Sequence, residues 1–177
     1  GNTPAYIAKA NDQKALFLAN KQLDWKDIYR INNENIDNGS RIVLYEDRTD
    51  ENIATFNTRL NSQLSDNVIM IAGGNYLNSR TKNFKNMLDL LGGTYFADKS
   101  TFGIGDQQYS DLNNPNRTLG VRDHYGYNYN IDVTKLDAFT QFKFTYNKVD
   151  LYLAQSLSRS SYQRDVLYKN GYYPNSS

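Results

Sequence analysis

Between Ala54 and Leu64 the chain alternates with period two. Phe56, Thr58, Leu60, Ser62 and Leu64 fall on one side, and Thr55, Asn57, Arg59, Asn61 and Gln63 on the other. Side chains on a strand point to opposite faces in turn, so this is a strand with one apolar and one strongly polar face. Ser65-Asp66-Asn67 is a compact turn signal, and Val68–Asn78 reads as the returning strand. Gly73-Gly74 within it marks a bend or a close backbone approach. The pattern recurs where Tyr125, Tyr127, Tyr129, Ile131 and Val133 alternate with Gly126, Asn128, Asn130 and Asp132. After Val133 the apolar phase slips by one, which predicts a bulge near Thr134–Lys135. Leu136, Ala138, Thr140, Phe142, Phe144 and Tyr146 carry it on, opposite Gln141, Lys143 and Thr145. Asn147-Lys148 is a second tight turn, and Val149, Leu151, Leu153 and Leu157 mark a fourth strand.

The pattern therefore gives two hairpins, with long connections between them and at both ends. Residues 1–40 are polar and interrupted by Asn, with two short helical patches. Asn11 or Asp12 could cap Gln13–Asn20, and Asp24 could cap Trp25–Tyr29; Asn32-Asn33-Glu34-Asn35 reads as loop. Residues 79–124 read as one long connection. Within it, Phe84, Met87, Leu88 and Leu91 stand at helical spacing before Gly92. Residues 161–177 read as loop, rich in Tyr, Asn and Ser. Short turns on one edge and long connections on the other is the asymmetry of transmembrane barrels. A barrel strand needs about 9–11 residues to cross, and all four segments are long enough.

Composition removes several alternatives. Lys plus Arg is 20 against 19 Asp plus Glu, a net charge of +1, so no basic footprint argues for nucleic acid. There is no cysteine, hence no disulfide, thiolate metal site or cysteine nucleophile. The longest apolar runs, such as Val68–Ala72, are far short of the roughly 20 residues of a membrane-spanning helix. A mean hydropathy of -0.73 is compatible with barrel strands, which average lipid-facing and lumen-facing residues. Residues 1–30 carry no signal-peptide pattern, so if the protein is exported its signal is expected outside this chain. Tyr, at 15 residues against a single Trp, suits a membrane interface, a barrel rim or a binding loop.

An ordered set of segments resembles the middle of a large TonB-dependent outer-membrane receptor. They are Trp25-Lys26-Asp27-Ile28-Tyr29, Tyr45-Glu46-Asp47-Arg48-Thr49-Asp50 and Asp89-Leu90-Leu91-Gly92-Gly93. Asp111-Leu112-Asn113-Asn114-Pro115-Asn116-Arg117, Tyr127-Asn128-Tyr129, Arg164-Asp165, Asn170-Gly171 and Pro174 follow in the same order. One departure is Val166, where the family pattern has glycine. The resemblance implies an all-β antiparallel transmembrane barrel of about 22 strands around a plug domain, importing nutrients with energy from TonB. Residues 1–177 would supply about four long strands, as two hairpins, with long extracellular loops carrying short helices. The plug, the TonB box and the closing strands would lie outside the chain. Expected partners are TonB and the plug through the intact receptor, together with outer-membrane lipid. The resemblance leaves room for a surface lipoprotein, and implies no nucleic acid and no cofactor.

No catalytic constellation stands out, and the expectation is a protein without enzymatic activity. Asp106, Asp111, Asn113 and Asn114 lack the spacing of a calcium loop and read as turn formers, so no metal is expected. Gly103-x-Gly105 lacks the third glycine of a nucleotide loop. Glu46, Asp47 and Asp50 read as solvated charges rather than paired catalytic carboxylates, and His124 has no nucleophile motif beside it. The candidate substrate-facing residues are the loop aromatics Trp25, Tyr95, Phe96, Tyr109, Tyr172 and Tyr173, against the simpler reading that they pack loop on loop or sit at a membrane interface. A second function class is a secreted soluble β-sandwich binding carbohydrate or protein through tyrosine-rich loops. It would need about seven short strands.

Overall fold

A computed structural model describes residues 3–35, 37 and 39–175. Two helices come first, α1 (Pro4–Ala19) and α2 (Trp25–Asn33). Then come β1 (Leu44–Ser65), β2 (Val68–Asp89), the short pair β3 (Phe96–Ala97) and β4 (Thr118–Leu119), β5 (His124–Tyr146) and β6 (Val149–Val166). The large sheet is antiparallel throughout, in the order β1-β2-β5-β6. The paired segments Ala54–Leu64 with Val68–Asn78, and Leu136–Tyr146 with Val149–Arg159, are the two hairpins read from the alternation. Asp66-Asn67 turns the first, and Asn147-Lys148 the second, with Asn147 at φ 55°.

The strands are longer than the alternation indicates, at 22, 22, 23 and 18 residues. Residues 79–89, expected within a long connection and partly helical, instead complete β2. The helical spacing of Phe84, Met87, Leu88 and Leu91 arises because both faces of the sheet are covered at this end. Phe84 stacks on His124 at 4.1 Å, while Met87 is fully buried. Apolar residues on both faces erase the period of two. Similarly, residues 161–166, read as loop, extend β6. Val166 sits at the end of that strand opposite Tyr129 and has no positive φ, so the position asks for no glycine. The last two residues of the 161–177 segment lie outside the described residues.

The bulge expected at Thr134–Lys135 is absent: β5 pairs without a register shift there with both β2 and β6. The irregularity lies farther up. Phe84 faces Asn128 and Lys85 faces Tyr125, which leaves Gly126 and Tyr127 as extra residues, with Gly126 at φ 70°. The phase slip has another cause. Residues paired across the sheet share a side, so Leu60, Ala72, Thr140 and Gln155 form one row. On that side the rows from Val68, Phe144 and Leu151 up to Phe56, Tyr76, Leu136 and Arg159 are mostly apolar. The next rows are Ala54, Asn78, Thr134 and Ser161, then Asn52, Arg80, Asp132 and Gln163, then Asp50, Lys82, Asn130 and Asp165. Polarity therefore changes at one level across all four strands. Above it the opposite face takes over the apolar residues, with Tyr129, Ile131 and Val133 on β5. One unbroken strand thus changes its apolar side.

Among the described residues the buried apolar side chains are Phe84, Met87, Leu90, Leu91 and Leu119, all at the connection end of the sheet. Among the described residues the turn-end half has no second layer: Phe56 is 65% exposed and Leu157 79%. The outer edges of β1 and β6 pair with no other strand among the described residues. The sandwich reading requires two packed sheets, whereas here a single large sheet accompanies a two-stranded ribbon.

Of the helices, α2 begins as expected, with the Asp24 side chain accepting from the Asp27 backbone N–H at 3.1 Å. It runs on through Asn32 and Asn33, where the asparagine-rich sequence predicts a loop. Helix α1 starts at Pro4, with Thr3 at its N-cap, ahead of the expected Asn11 or Asp12. Proline at the first helical position costs no hydrogen bond, and its fixed φ suits the helix.

Candidate functional site

The connection end is assembled by buried polar groups. Asn32 is fully buried. Its Nδ2 donates to the carbonyl oxygens of Ile42 (2.7 Å), Leu90 (3.0 Å) and Leu91 (3.0 Å), and its Oδ1 accepts from the N–H groups of Arg41 (2.9 Å) and Ile42 (3.1 Å). One side chain thereby fixes the end of α2 to the start of β1 and the end of β2. Ser40 adds a hydrogen bond from its Oγ to Leu90 O at 2.6 Å.

Residues 90–123 and the segment after β6 form one cap. Asp98 is buried and accepts from Arg117 Nε at 2.9 Å, from Ser110 Oγ, and from the Gly126 N–H at 3.3 Å. Arg117 also donates to His124 O and lies 4.1 Å over the Tyr168 ring, whose hydroxyl donates to the same oxygen. Asp111, 2% exposed, accepts from the Asn113 N–H, from Asn114 Nδ2 and from the Lys169 N–H. Its carboxylate is occupied by turn and tail contacts. Gly171 donates to Tyr109 O at 3.0 Å and packs against Asp106 O so closely that a Cβ would sit 1.8 Å away. The sequence offers no sign that these two segments are stitched together, since the Lys169–Asp111 contact joins residues 58 apart.

At the joint lies a cavity of about 220 Å³, walled by Phe96, Tyr109, Tyr125 and Tyr172, with Gln107 and Asn170 also on its lining. Three of the expected aromatics therefore meet at one site. Phe96 stands edge-on to Tyr125 at 5.8 Å, and Lys99 Nζ lies 5.5 Å over Tyr109. Tyr173 lines a neighbouring cavity with Tyr127 and Tyr129, its ring 6.5 Å from that of Tyr172. Trp25 and Tyr95 do not join them. Trp25 is exposed on α2 beside Tyr29. Tyr95 packs on Gly39 and donates its hydroxyl to Asp37 at 3.3 Å.

The residues missed by sequence reading are Tyr45, Lys85, Tyr125 and Tyr127. Lys85 Nζ lies 4.9 to 5.6 Å from the rings of Tyr45, Tyr125 and Tyr127, and 3.9 Å from Asp47, which accepts from the Tyr127 hydroxyl. Burial pushes the Tyr125 phenol well above its ordinary range, with Tyr45 and Asp47 adding to the shift, so it stays a neutral donor. The lysine belonged to a span read as loop, and the cluster forms only once β2 is continued to Asp89. Chemically the end is suited to binding: aromatic faces, phenol and amide groups, and a lysine held by π faces. Glu46 and Asp50 both pair with Arg48, and no three of the described His, Asp or Glu side chains come together as a metal site.

No family model matches this sequence, and no curated protein matches it.

Proposed function

We propose that the chain is part of the outer-membrane β-barrel of a TonB-dependent receptor for nutrient uptake, a transport protein that performs no chemistry of its own. The observation that supports this is the level boundary on one face of the sheet. Phe56–Leu64, Val68–Tyr76, Leu136–Phe144 and Leu151–Arg159 each span nine residues of the mostly apolar belt. Nine residues extend about 30 Å along a strand. Tilted as barrel strands are, that matches a lipid-facing band about 25 Å tall. The opposite face is the more polar one at the same levels, with Asn57, Arg59, Asn61, Asp137 and Gln141 beside Ile69, Ile71 and Phe139, which suits a water-filled or plugged lumen. Tyr76 at one rim and Tyr146 at the other suit the two interfaces.

Free edges 22 and 18 residues long are an invitation to pair, and closure into a barrel removes them. On this reading the tight turns face the periplasm, the cap lies outside the cell, and the cap aromatics meet the substrate. TonB and a plug domain act through the intact receptor. The test is topological. A protease site inserted at Asp106 of the full receptor should be cut in whole cells, and one at Asp66 should be protected. Cleavage at Asp66 alone would overturn the orientation, and equal cleavage at both would remove the membrane assignment.

A further inference from the structure

On the face opposite the belt, at its cap end, a tyrosine-lined cavity holds one arginine and no acid. Tyr129 pairs with Val166 and Ile131 with Arg164, so Tyr129 and Arg164 rise on the side away from Asn130 and Asp165. The Arg164 guanidinium lies 4.5 Å from the centroid of the Tyr129 ring. The cavity beside them, about 570 Å³, is lined also by Tyr127, Tyr168, Tyr173 and Asn170, and by no carboxylate. The acids of this region are engaged elsewhere. Asp47 accepts from the Tyr127 hydroxyl and lies 3.9 Å from Lys85, and Asp98 holds Arg117. Asp165 accepts from Gln163 on the opposite face. Glu51, in the Arg164 row but three strands away, accepts from the Ser79 hydroxyl at 2.8 Å. Arg164 is in no ion pair among the described residues.

We infer that this cavity binds an acidic sugar, a uronate unit of the substrate, with its carboxylate on Arg164 and its ring against the tyrosines. The inference deepens the receptor reading and rests on it, because that reading turns this face to the lumen and makes the cap the point of entry. An arginine resting on a ring keeps its planar fork of N–H donors for a carboxylate and has little freedom left to lose. Tyrosine offers a flat apolar face and a polar tip, which match the C–H faces and hydroxyl edges of a pyranose. Asn170 is fixed through its Oδ1, which accepts from the Tyr172 N–H at 2.8 Å, leaving its amide N–H groups as donors. A peptide carboxylate would meet the same arginine, but its side chains would find Val166 as their one aliphatic partner on this lining. The cavity shares Gly126 and Asn170 with the one at the cap joint, so a chain of sugars can run from one to the other.

The test is equilibrium binding to the full receptor in detergent. The probes are disaccharides of galacturonate, glucuronate and mannuronate, each beside its neutral methyl ester. At least one acid should bind about tenfold more tightly than its own ester, the scale of one charge-assisted contact. Arg164→Gln should abolish that preference by weakening the acid, with the ester held within about twofold. Arg164→Lys should keep part of it, because the charge remains and the fork is lost. Lys135→Gln, two rows nearer the turns on the same face beside Ser160, should leave it unchanged. Equal binding of every acid and its ester, or a preference that survives Arg164→Gln, would overturn the inference. So would displacement of the bound disaccharide by acetate at matching concentration, which would mark a site for any carboxylate. The receptor reading is scored separately, by heat-resistant insertion of the same preparation into phospholipid vesicles. Failure to insert strikes that reading, whereas an inserted receptor with no preference for the acids strikes this inference alone.

Discussion

Asn32 Nδ2 lies 3.0 Å from the carbonyl oxygen of Leu90, a contact made with no water access between residues 58 apart in sequence. It joins the end of α2 to the point where β2 gives way to the cap. Replacing Asn32 with Ala strips partners from Leu91 O, Ile42 O and two backbone N–H groups. Each buried polar group left unsatisfied costs about 1–3 kcal/mol, and some of these will relax toward solvent, so a net loss of about 3 kcal/mol is expected. Asn32→Asp should be at least as damaging, since it sets a carboxylate against three carbonyl oxygens. Denaturant unfolding of the purified protein measures both. A change under 1 kcal/mol for both variants would show that this junction does not depend on Asn32.

The register sharpens the contrast between faces. Leu60 lies in the middle row of the apolar belt, and Phe142 one row nearer the turns. Arginine on a lipid-facing strand costs about 2–4 kcal/mol at the midplane and less toward the rims. Leu60→Arg should therefore lower refolding stability in lipid more than Phe142→Arg does. Asn61→Arg, on the other face, should change it little. Equal effects at positions 60 and 61 would mean that the two faces do not see different solvents.

How much of this was legible in the sequence follows a physical line. Where one face is apolar and the other polar, as from Phe56 to Leu64 and from Leu136 to Tyr146, period two shows plainly, and turns, pairing and facing all followed from it. Gly73 was readable as a close approach, and a Cβ there would lie 2.6 Å from the Phe139 ring and 2.6 Å from Thr58 O. Around Phe84 and Met87 both faces are covered, so the pattern vanished and a strand looked like a helix in a loop. The apparent bulge at Thr134 was a change of surroundings on an unbroken strand. Trp25 and Tyr95 were grouped with Phe96, Tyr109 and Tyr172 by residue type, because only the long-range contacts of Asp98 and Asp111 decide which loop aromatics meet.

The buried pair in the cap gives another expectation. The Asp98 and Arg117 side chains are 5% and 19% exposed. Removing one member of a buried pair leaves the other charge unpaired and costs about 3–5 kcal/mol. Asp98→Asn should therefore loosen the cap strongly. Adding Arg117→Met should recover part of the loss, since no unpaired charge then remains. Hydrogen exchange at Asp98 and Gly126, whose amides are tied into this contact, reports it locally. Additive losses in the double variant would show that the two side chains are not coupled.

His124 predicts an acid-sensitive cap. Burial against Phe84 and the nearby Arg48 depress its pKa below 6.5; Arg117 acts in the same direction, while Asp123 and Asp50 oppose it. Because the folded pKa is the lower one, the unfolded chain takes up the proton first as pH falls. The stabilisation is complete above about pH 6.5, declines as pH drops through that value, and levels off below the folded pKa. Thermal unfolding across this range should show the decline in wild type and a smaller one in His124→Gln. Identical pH profiles for the two would assign the acid sensitivity elsewhere.

The last expectation tests the proposed role of the cap aromatics in ligand binding. Trimming the whole of residues 79–124 would cut into β2, so the informative changes are single side chains within the cap. Tyr109 and Tyr172 face the same cavity as Phe96, while Trp25 stands apart on α2. An aromatic wall contributes large contact area with little conformational freedom to lose, so truncating it weakens binding without disturbing a strand. If the proposed receptor role holds, Tyr109→Ala and Tyr172→Ala should each weaken ligand binding by about tenfold, near 1.4 kcal/mol. Barrel stability to heat should be unaltered. Trp25→Ala should stay within about twofold of wild type, a change below 0.5 kcal/mol. Binding that fails on loss of Trp25 and survives loss of both tyrosines would move the site from the cap joint to α2.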